Sequence, residues 1–170
     1  MFRRPALSIA LAVGASLVMA VTAFASSTYT EWINGTELPN ATQTEGQFVG
    51  EATGSYAGSW YIDVRHQDLS HHPAYITGGS FRVNTLINGW PSAIKGSFVP
   101  WGGTVSQVSG FWGCTNQRYT VHGALNNVGV NGGNGSGSFS ATLTHYRTNV
   151  WWVGCVVYAA SVSGTVSLTY

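Results

Sequence analysis

Apolar and polar residues alternate along much of the chain, as they do in strands that bury one face. The clearest stretch is at the C-terminus, where Cys155 begins a face rich in Ser and Thr and the opposite face is apolar: Val156, Tyr158, Ala160, Val162, Val166, Leu168 and Tyr170. Residues 46–66 repeat this period of two. No window after residue 26 shows the apolar spacing of a helix, so the pattern predicts an all-β protein.

The predicted strands cover 46–56, 58–68, 76–87, 93–100, 103–111, 117–125, 136–148 and a long final strand from about residue 152. Glycines recur inside them, and such glycines allow the bends that a closing sheet needs. We therefore expect a single-domain antiparallel, mostly up-and-down β-barrel of about eight strands over residues 46–170, with a β-sandwich as the alternative. Residues 26–45 are expected to form an N-terminal arm or an edge strand at Thr28–Ile33.

The first 25 residues have the composition of a secretory signal peptide. Arg3 and Arg4 precede a run of small and apolar residues, and Ala23-Phe24-Ala25 matches a cleavage site. A membrane anchor is the alternative, but the run is short and rich in alanine. We expect cleavage near Ala25 and a mature chain without a membrane span. Export to the extracellular space or the periplasm follows, and the leader is typical of bacteria.

The overall charge argues against one class of partner. The 170 residues include seven Lys/Arg and six Asp/Glu, and only 8% of the chain is charged. Because binding to phosphate backbones needs clustered basic side chains, nucleic acid is not expected as a partner. The 44% of hydrophobic residues is too high for a disordered chain.

Cys114 and Cys155 are the two cysteines of the chain. An even count in an exported protein favours a disulfide, with two free thiols or a metal pair as alternatives. When the predicted strands are followed up and down, both cysteines fall at the same end of the barrel. The chain-entropy model gives such a bridge roughly 4 kcal/mol of stabilisation.

The same walk gathers aromatic and basic side chains at the end that holds the cysteines: Trp90, Trp112, Trp151 and Trp152, with Arg118, His145 and Arg147. Tryptophan offers a broad and rigid contact area, which suits sugars, aromatic ligands or protein partners. We therefore predict a ligand-binding rim at these residues. The alternative is that the tryptophans plug the end of the barrel.

The opposite end is predicted to hold Trp101 and the most polar segment, with His66, Asp68, His71 and His72. The histidines are weak candidates for binding Zn²⁺ or Cu²⁺, because their spacing matches no standard zinc motif. A solvated loop is the favoured interpretation, and no metal or cofactor is predicted.

His145 is the best candidate for catalysis, since it follows Phe139, Ala141 and Leu143 on the predicted inner face. With Arg147 and Tyr158 beside it, the imidazole could transfer a proton or hold an anionic substrate. The alternative is a histidine at the edge of the core that is bonded to a neighbour. No nucleophile elbow, zinc-protease motif or phosphate loop occurs in the chain.

Over residues 46–170 the layout is similar to small secreted barrels of the avidin, lipocalin and dirigent/allene-oxide-cyclase kinds, although no specific motif of these families is present. Architecture alone does not give function. The leading hypothesis is a secreted, non-enzymatic protein whose Trp-rich rim binds a small hydrophobic ligand or a carbohydrate. The alternatives are a cofactor-free cyclase or isomerase that acts in the barrel lumen, and a structural or interaction module of the cell envelope. A protein partner or a homo-oligomer is left open. A filled interior would leave only surface recognition, whereas an open lumen permits the first two.

Overall fold

The computed structural model describes residues 26–39 and 41–170. In that part of the chain, eight antiparallel strands follow one another around a closed barrel, and there is no helix. The strands are β1 (Thr28–Glu37), β2 (Glu45–Gly54), β3 (Gly58–His66), β4 (Ala74–Ile87), β5 (Trp90–Ser109), β6 (Gln117–Val130), β7 (Gly135–Val150) and β8 (Gly154–Thr169). The predicted all-β, up-and-down barrel is confirmed, and closure excludes the sandwich.

The barrel has two ends with different connections. The end that holds the β1–β2, β3–β4, β5–β6 and β7–β8 connections is called the upper end. The lower end holds the other three connections, together with Ser26 and Tyr170.

Strand β1 is a full member of the barrel. It pairs with β2 along one edge and with β8 along the other, so it is neither the edge strand nor the loose arm that the sequence predicts. The alternation of apolar and polar residues in β1 does not indicate pairing on both sides, because the inward face carries the fully buried Glu31 while the outward Trp32 is exposed. Because the buried face includes a carboxylate, the hydrophobic pattern predicts at most an edge strand at Thr28–Ile33 and not a strand that is paired on both sides.

One long strand, β5, replaces two predicted strands. Residues 100–103 join the predicted strands 93–100 and 103–111, so the sequence predicts that the chain reverses there. In the structure they lie inside β5, where the register against β6 shifts between Phe98 and Gly103. Pro and Gly are tolerated at bulges as well as in turns. The predicted break in the regular strand is therefore present, but the predicted reversal of the chain is wrong. The structure has one chain reversal fewer than predicted, so every strand after β5 runs in the direction opposite to the predicted one. The loops after β5 therefore lie at the end opposite to the one predicted.

The lower part of the lumen is filled by buried apolar side chains, among them Ile33, Trp60, Ile62, Val83, Ile94, Val166 and Leu168. The Trp60 indole donates a hydrogen bond from Nε1 to the carbonyl oxygen of Asn34 over 3.1 Å. Gly35 leaves room for this ring, since a Cβ at that position would lie 2.7 Å from it. The packed floor confines the open space of the lumen to the upper part of the barrel.

Three tyrosines close the lower end. The rings of Tyr29, Tyr56 and Tyr170 contact one another at centroid distances of 5.0 to 6.2 Å. Glu31 lies buried beside them, and its Oε1 accepts a hydrogen bond from the backbone N–H of Tyr56 at 3.0 Å. Its Oε2 is buried without a hydrogen-bond partner, and burial raises the pKa of the carboxyl.

The predicted disulfide between Cys114 and Cys155 is confirmed. Their Cα atoms lie 5.4 Å apart at the upper end, where the bridge joins the β5–β6 loop to the start of β8. The predicted signal peptide, residues 1–25, and its cleavage site lie outside the described residues. Residues 26–39 and 41–170 include no candidate for a membrane-spanning helix.

Candidate functional site

A cavity of about 970 Å³ opens at the upper end of the barrel. Its walls carry apolar side chains from six strands: Phe48, Val64, Val105, Val121, Phe139, Leu143 and Val162. These residues lie on the inward faces that the period of two defines, and they are all buried. The lumen therefore has a packed floor and an open, apolar upper chamber.

The mouth of this chamber is polar. Glu37 at the end of β1 and His145 on β7 contact each other there, with 2.7 Å between Glu37 Oε2 and His145 Nε2. Their side chains are only 12% and 16% exposed. We call these two residues the mouth pair. An acid and an imidazole held together at an apolar entrance can bind a polar group or exchange a proton with it.

The small side chain of Ala160 allows the mouth pair to form. Strand β8 separates β7 from β1, and Ala160 is the residue of β8 that pairs with His145. On its other side, the carbonyl oxygen of Ala160 accepts a hydrogen bond from Thr36 Oγ1 at 2.7 Å. Since alanine projects only a methyl group, the carboxylate and the imidazole meet across the strand.

Tyr119 supports the imidazole from β6. Its ring centroid lies 5.3 Å from that of His145, and the residue is 5% exposed. Burial raises the pKa of the Tyr119 hydroxyl, so this group stays protonated at neutral pH. Two neutral amides, Gln107 and Gln117, also line the cavity. The mouth thus offers a carboxylate, an imidazole, a phenol and amides to a bound molecule.

The three predicted catalytic residues do not share one position. His145 and Tyr158 both line the cavity, although Tyr158 is 65% exposed. Arg147 instead binds the β5–β6 loop, because its Nη1 donates to the carbonyl oxygen of Gly113 and its backbone N–H donates to Asn116 Oδ1. Arg118 is exposed at the start of β6 and does not line the cavity.

The predicted tryptophan rim divides between the two ends. Trp112, Trp151 and Trp152 lie in the β5–β6 and β7–β8 connections at the upper end, whereas Trp90 begins β5 at the lower end. All four are at least 76% exposed, so they do not plug the barrel. None of them is among the residues that line the cavity. The prediction that Trp90 joins the others was wrong, because it rested on the extra reversal at residues 100–103.

The histidine segment shares the upper end with the cavity, and His66 and Asp68 line it. The Nδ1 of His66 lies 2.7 Å from the carbonyl oxygen of Gln67, and that of His71 lies 3.2 Å from the carbonyl oxygen of Asp68. A backbone hydrogen bond from Ser70 lowers the pKa of Asp68. In residues 26–39 and 41–170, His66, His71 and His72 are not gathered with other ligands into a group that could hold a metal ion.

Sequence reasoning missed Glu37, the partner of His145. The signal was present in the alternation of β1, where Glu31, Ile33, Gly35 and Glu37 share the inward face. This face could not be recognised as a buried one, because it carries two carboxylates and because the large apolar Trp32 lies on the opposite face. A closed barrel brings the first and last strands together, so β1 and β8 had to be recognised as neighbours before Glu37 could be placed near β7.

Comparison with known proteins finds no matching family model, no significantly similar curated protein and no significantly similar solved structure, so the function of this barrel is argued from its own residues.

Proposed function

We propose that the protein is an exported binding protein that holds a small hydrophobic ligand in the upper lumen. The observation that carries the proposal is the cavity of about 970 Å³ with apolar walls and a polar mouth. Pockets for small molecules have this character, with mostly apolar walls and a few polar groups that orient the ligand.

The lining suggests what kind of ligand fits. The buried aliphatic and phenyl groups of the walls favour an apolar body, because its transfer from water is worth about 25 cal/mol for each Å² buried. The phenol of Tyr119 and the amides of Gln107 and Gln117 suit a hydroxyl or carbonyl group at the mouth. The ligand is therefore an uncharged hydrophobic molecule with one polar end.

Export is part of the proposal. The disulfide between Cys114 and Cys155 supports an oxidising compartment, since such bonds persist outside the cytosol. The leader-like composition of residues 1–25 points to the same route. The protein would then bind its ligand in the extracellular space or the periplasm.

Titration with Nile red, an uncharged apolar dye, tests the proposal. The wild-type protein should bind the dye with increased fluorescence, and Val162→Trp should weaken binding at least about tenfold by filling the chamber. Ser163→Trp is the matched control, because Ser163 is the exposed neighbour of the buried Val162. Equal binding by all three proteins would refute a lumen site. Oligosaccharide binding that Val162→Trp does not alter would instead support the carbohydrate alternative.

The mouth pair favours one second candidate, a cofactor-free cyclase or isomerase. Glu37 would orient the imidazole of His145 as a general base, and the protonated Tyr119 would serve as a donor. A ligand extracted from the purified protein separates the two functions. Recovery unchanged after incubation supports binding, whereas conversion to an isomer of equal mass, lost in His145→Gln, supports catalysis.

A further inference from the structure

Large apolar side chains project from two neighbouring connections at the upper end. Phe111 and Trp112 belong to the β5–β6 loop, and Trp151, Trp152 and Val153 form the β7–β8 turn. We call these five residues the aromatic tips. Their exposed fractions range from 57% for Phe111 to 88% for Trp152. Such a concentration of exposed apolar groups at one place usually marks an interaction surface.

The aromatic tips are held in place before any partner binds. The disulfide from Cys114 to Cys155 ties the two connections together, and Arg147 donates two hydrogen bonds to the β5–β6 loop. The rings of Trp151 and Trp152 stack at 4.7 Å with only 13° between their planes. Ordering these groups in advance reduces the entropy that binding would otherwise cost.

The distribution of charged residues around the aromatic tips indicates which kind of partner they bind. All six acidic residues lie between Glu31 and Asp68, so residues 69–170 contain none. Arg118 and Arg147 flank the aromatic tips, and residues 148–170 carry no charged side chain. The aromatic tips are therefore flanked by cationic groups. The upper end also carries the carboxylates of Glu37 and Asp68, which line the cavity and lie outside the two connections that form the tips.

We propose that the aromatic tips dock the barrel onto an anionic lipid surface, with the indoles in the interfacial layer and Arg118 near the headgroups. Tryptophan favours the membrane–water interface because its ring is apolar while its N–H can hydrogen-bond. Cationic side chains add attraction to anionic headgroups. This docking is peripheral and does not depend on a ligand in the lumen.

Vesicle flotation tests the proposal with the full mature protein. The wild type should float with phosphatidylcholine vesicles that contain phosphatidylglycerol, and added salt should weaken that binding. The variant Trp151→Ala/Trp152→Ala should lose about tenfold or more in partitioning. Trp90→Ala is the matched control, since Trp90 is 76% exposed at the opposite end and should partition as the wild type does.

A second measurement on the unmodified protein protects the test against misfolded variants. Brominated lipids in the same vesicles should quench the tryptophan fluorescence of the wild type, because the indoles enter the lipid. Absence of flotation, absence of quenching, or equal losses for Trp90→Ala would overturn the proposal. A dimer that forms without vesicles and is lost in Trp151→Ala/Trp152→Ala would also overturn it and assign the tips to self-association.

Discussion

The exposure of the aromatic tips predicts how little they contribute to stability. We compare Trp151→Ala with Trp60→Ala, which removes the same side chain from the packed lower core. Trp151 is 80% exposed, whereas Trp60 is 2% exposed and donates a hydrogen bond to the carbonyl oxygen of Asn34. The two substitutions therefore remove the same atoms from opposite environments.

The magnitudes follow from these contacts. Trp60→Ala should lower the free energy of unfolding by about 3–5 kcal/mol, as the loss of a large core aromatic does. Trp151→Ala forfeits mainly its stacking on Trp152, which is worth about 0.5–1.5 kcal/mol. A double-mutant cycle with Trp152→Ala should return a coupling energy of the same size.

Equilibrium urea unfolding of the oxidised protein, followed by far-ultraviolet circular dichroism, measures both values. Unchanged m-values would show that the variants differ in stability and not in the extent of unfolding. A loss of about 3 kcal/mol or more for Trp151→Ala would refute the reasoning, because it would mean that the indole packs as a core residue does.

Three further predictions concern other parts of the barrel. Burial raises the pKa of Glu31 in the folded protein. The contribution of this carboxyl to the free energy of unfolding is therefore fully present below the pKa of the unfolded chain, and it is lost as pH rises through the pKa of the folded protein. Glu31→Gln should therefore raise the urea midpoint at neutral pH and change it less in acid, and an equal gain at both would contradict this account. Replacing both cysteines with serine should cost about 4 kcal/mol in the same assay, and an unchanged midpoint would show that the bridge adds nothing. Ala160→Leu should separate the mouth pair, so the coupling energy between Glu37→Gln and His145→Gln, about 0.5–3 kcal/mol in the wild type, should fall near zero.

Much of the barrel could be predicted because its strands bury one face. In β8 the predicted inward residues Val162, Val166 and Leu168 are all buried, and the period of two was sufficient to identify them. The disulfide was predicted from cysteine count and topology. Its two cysteines share an end in the structure even though the predicted end was the opposite one, since the extra reversal moved both of them together.

The site was harder to predict because it depends on long-range geometry. Residues 100–103 carry the same Pro and Gly signals whether the chain turns back or only bulges, and pairing with β6 decides between the two. Glu37 and His145 are 108 residues apart in the chain and meet only because β1 closes the barrel against β8. Neither fact is contained in a local pattern.

The most direct test of lumen binding is a methyl nuclear magnetic resonance titration of the wild-type protein with Nile red. The account predicts that the methyl resonances that shift are those lining the upper chamber, such as Val121, Leu143 and Val162, while Val83 and Leu168 in the packed lower core stay in place. Shifts confined to Val153 at the aromatic tips, or no shifts at all, would contradict it.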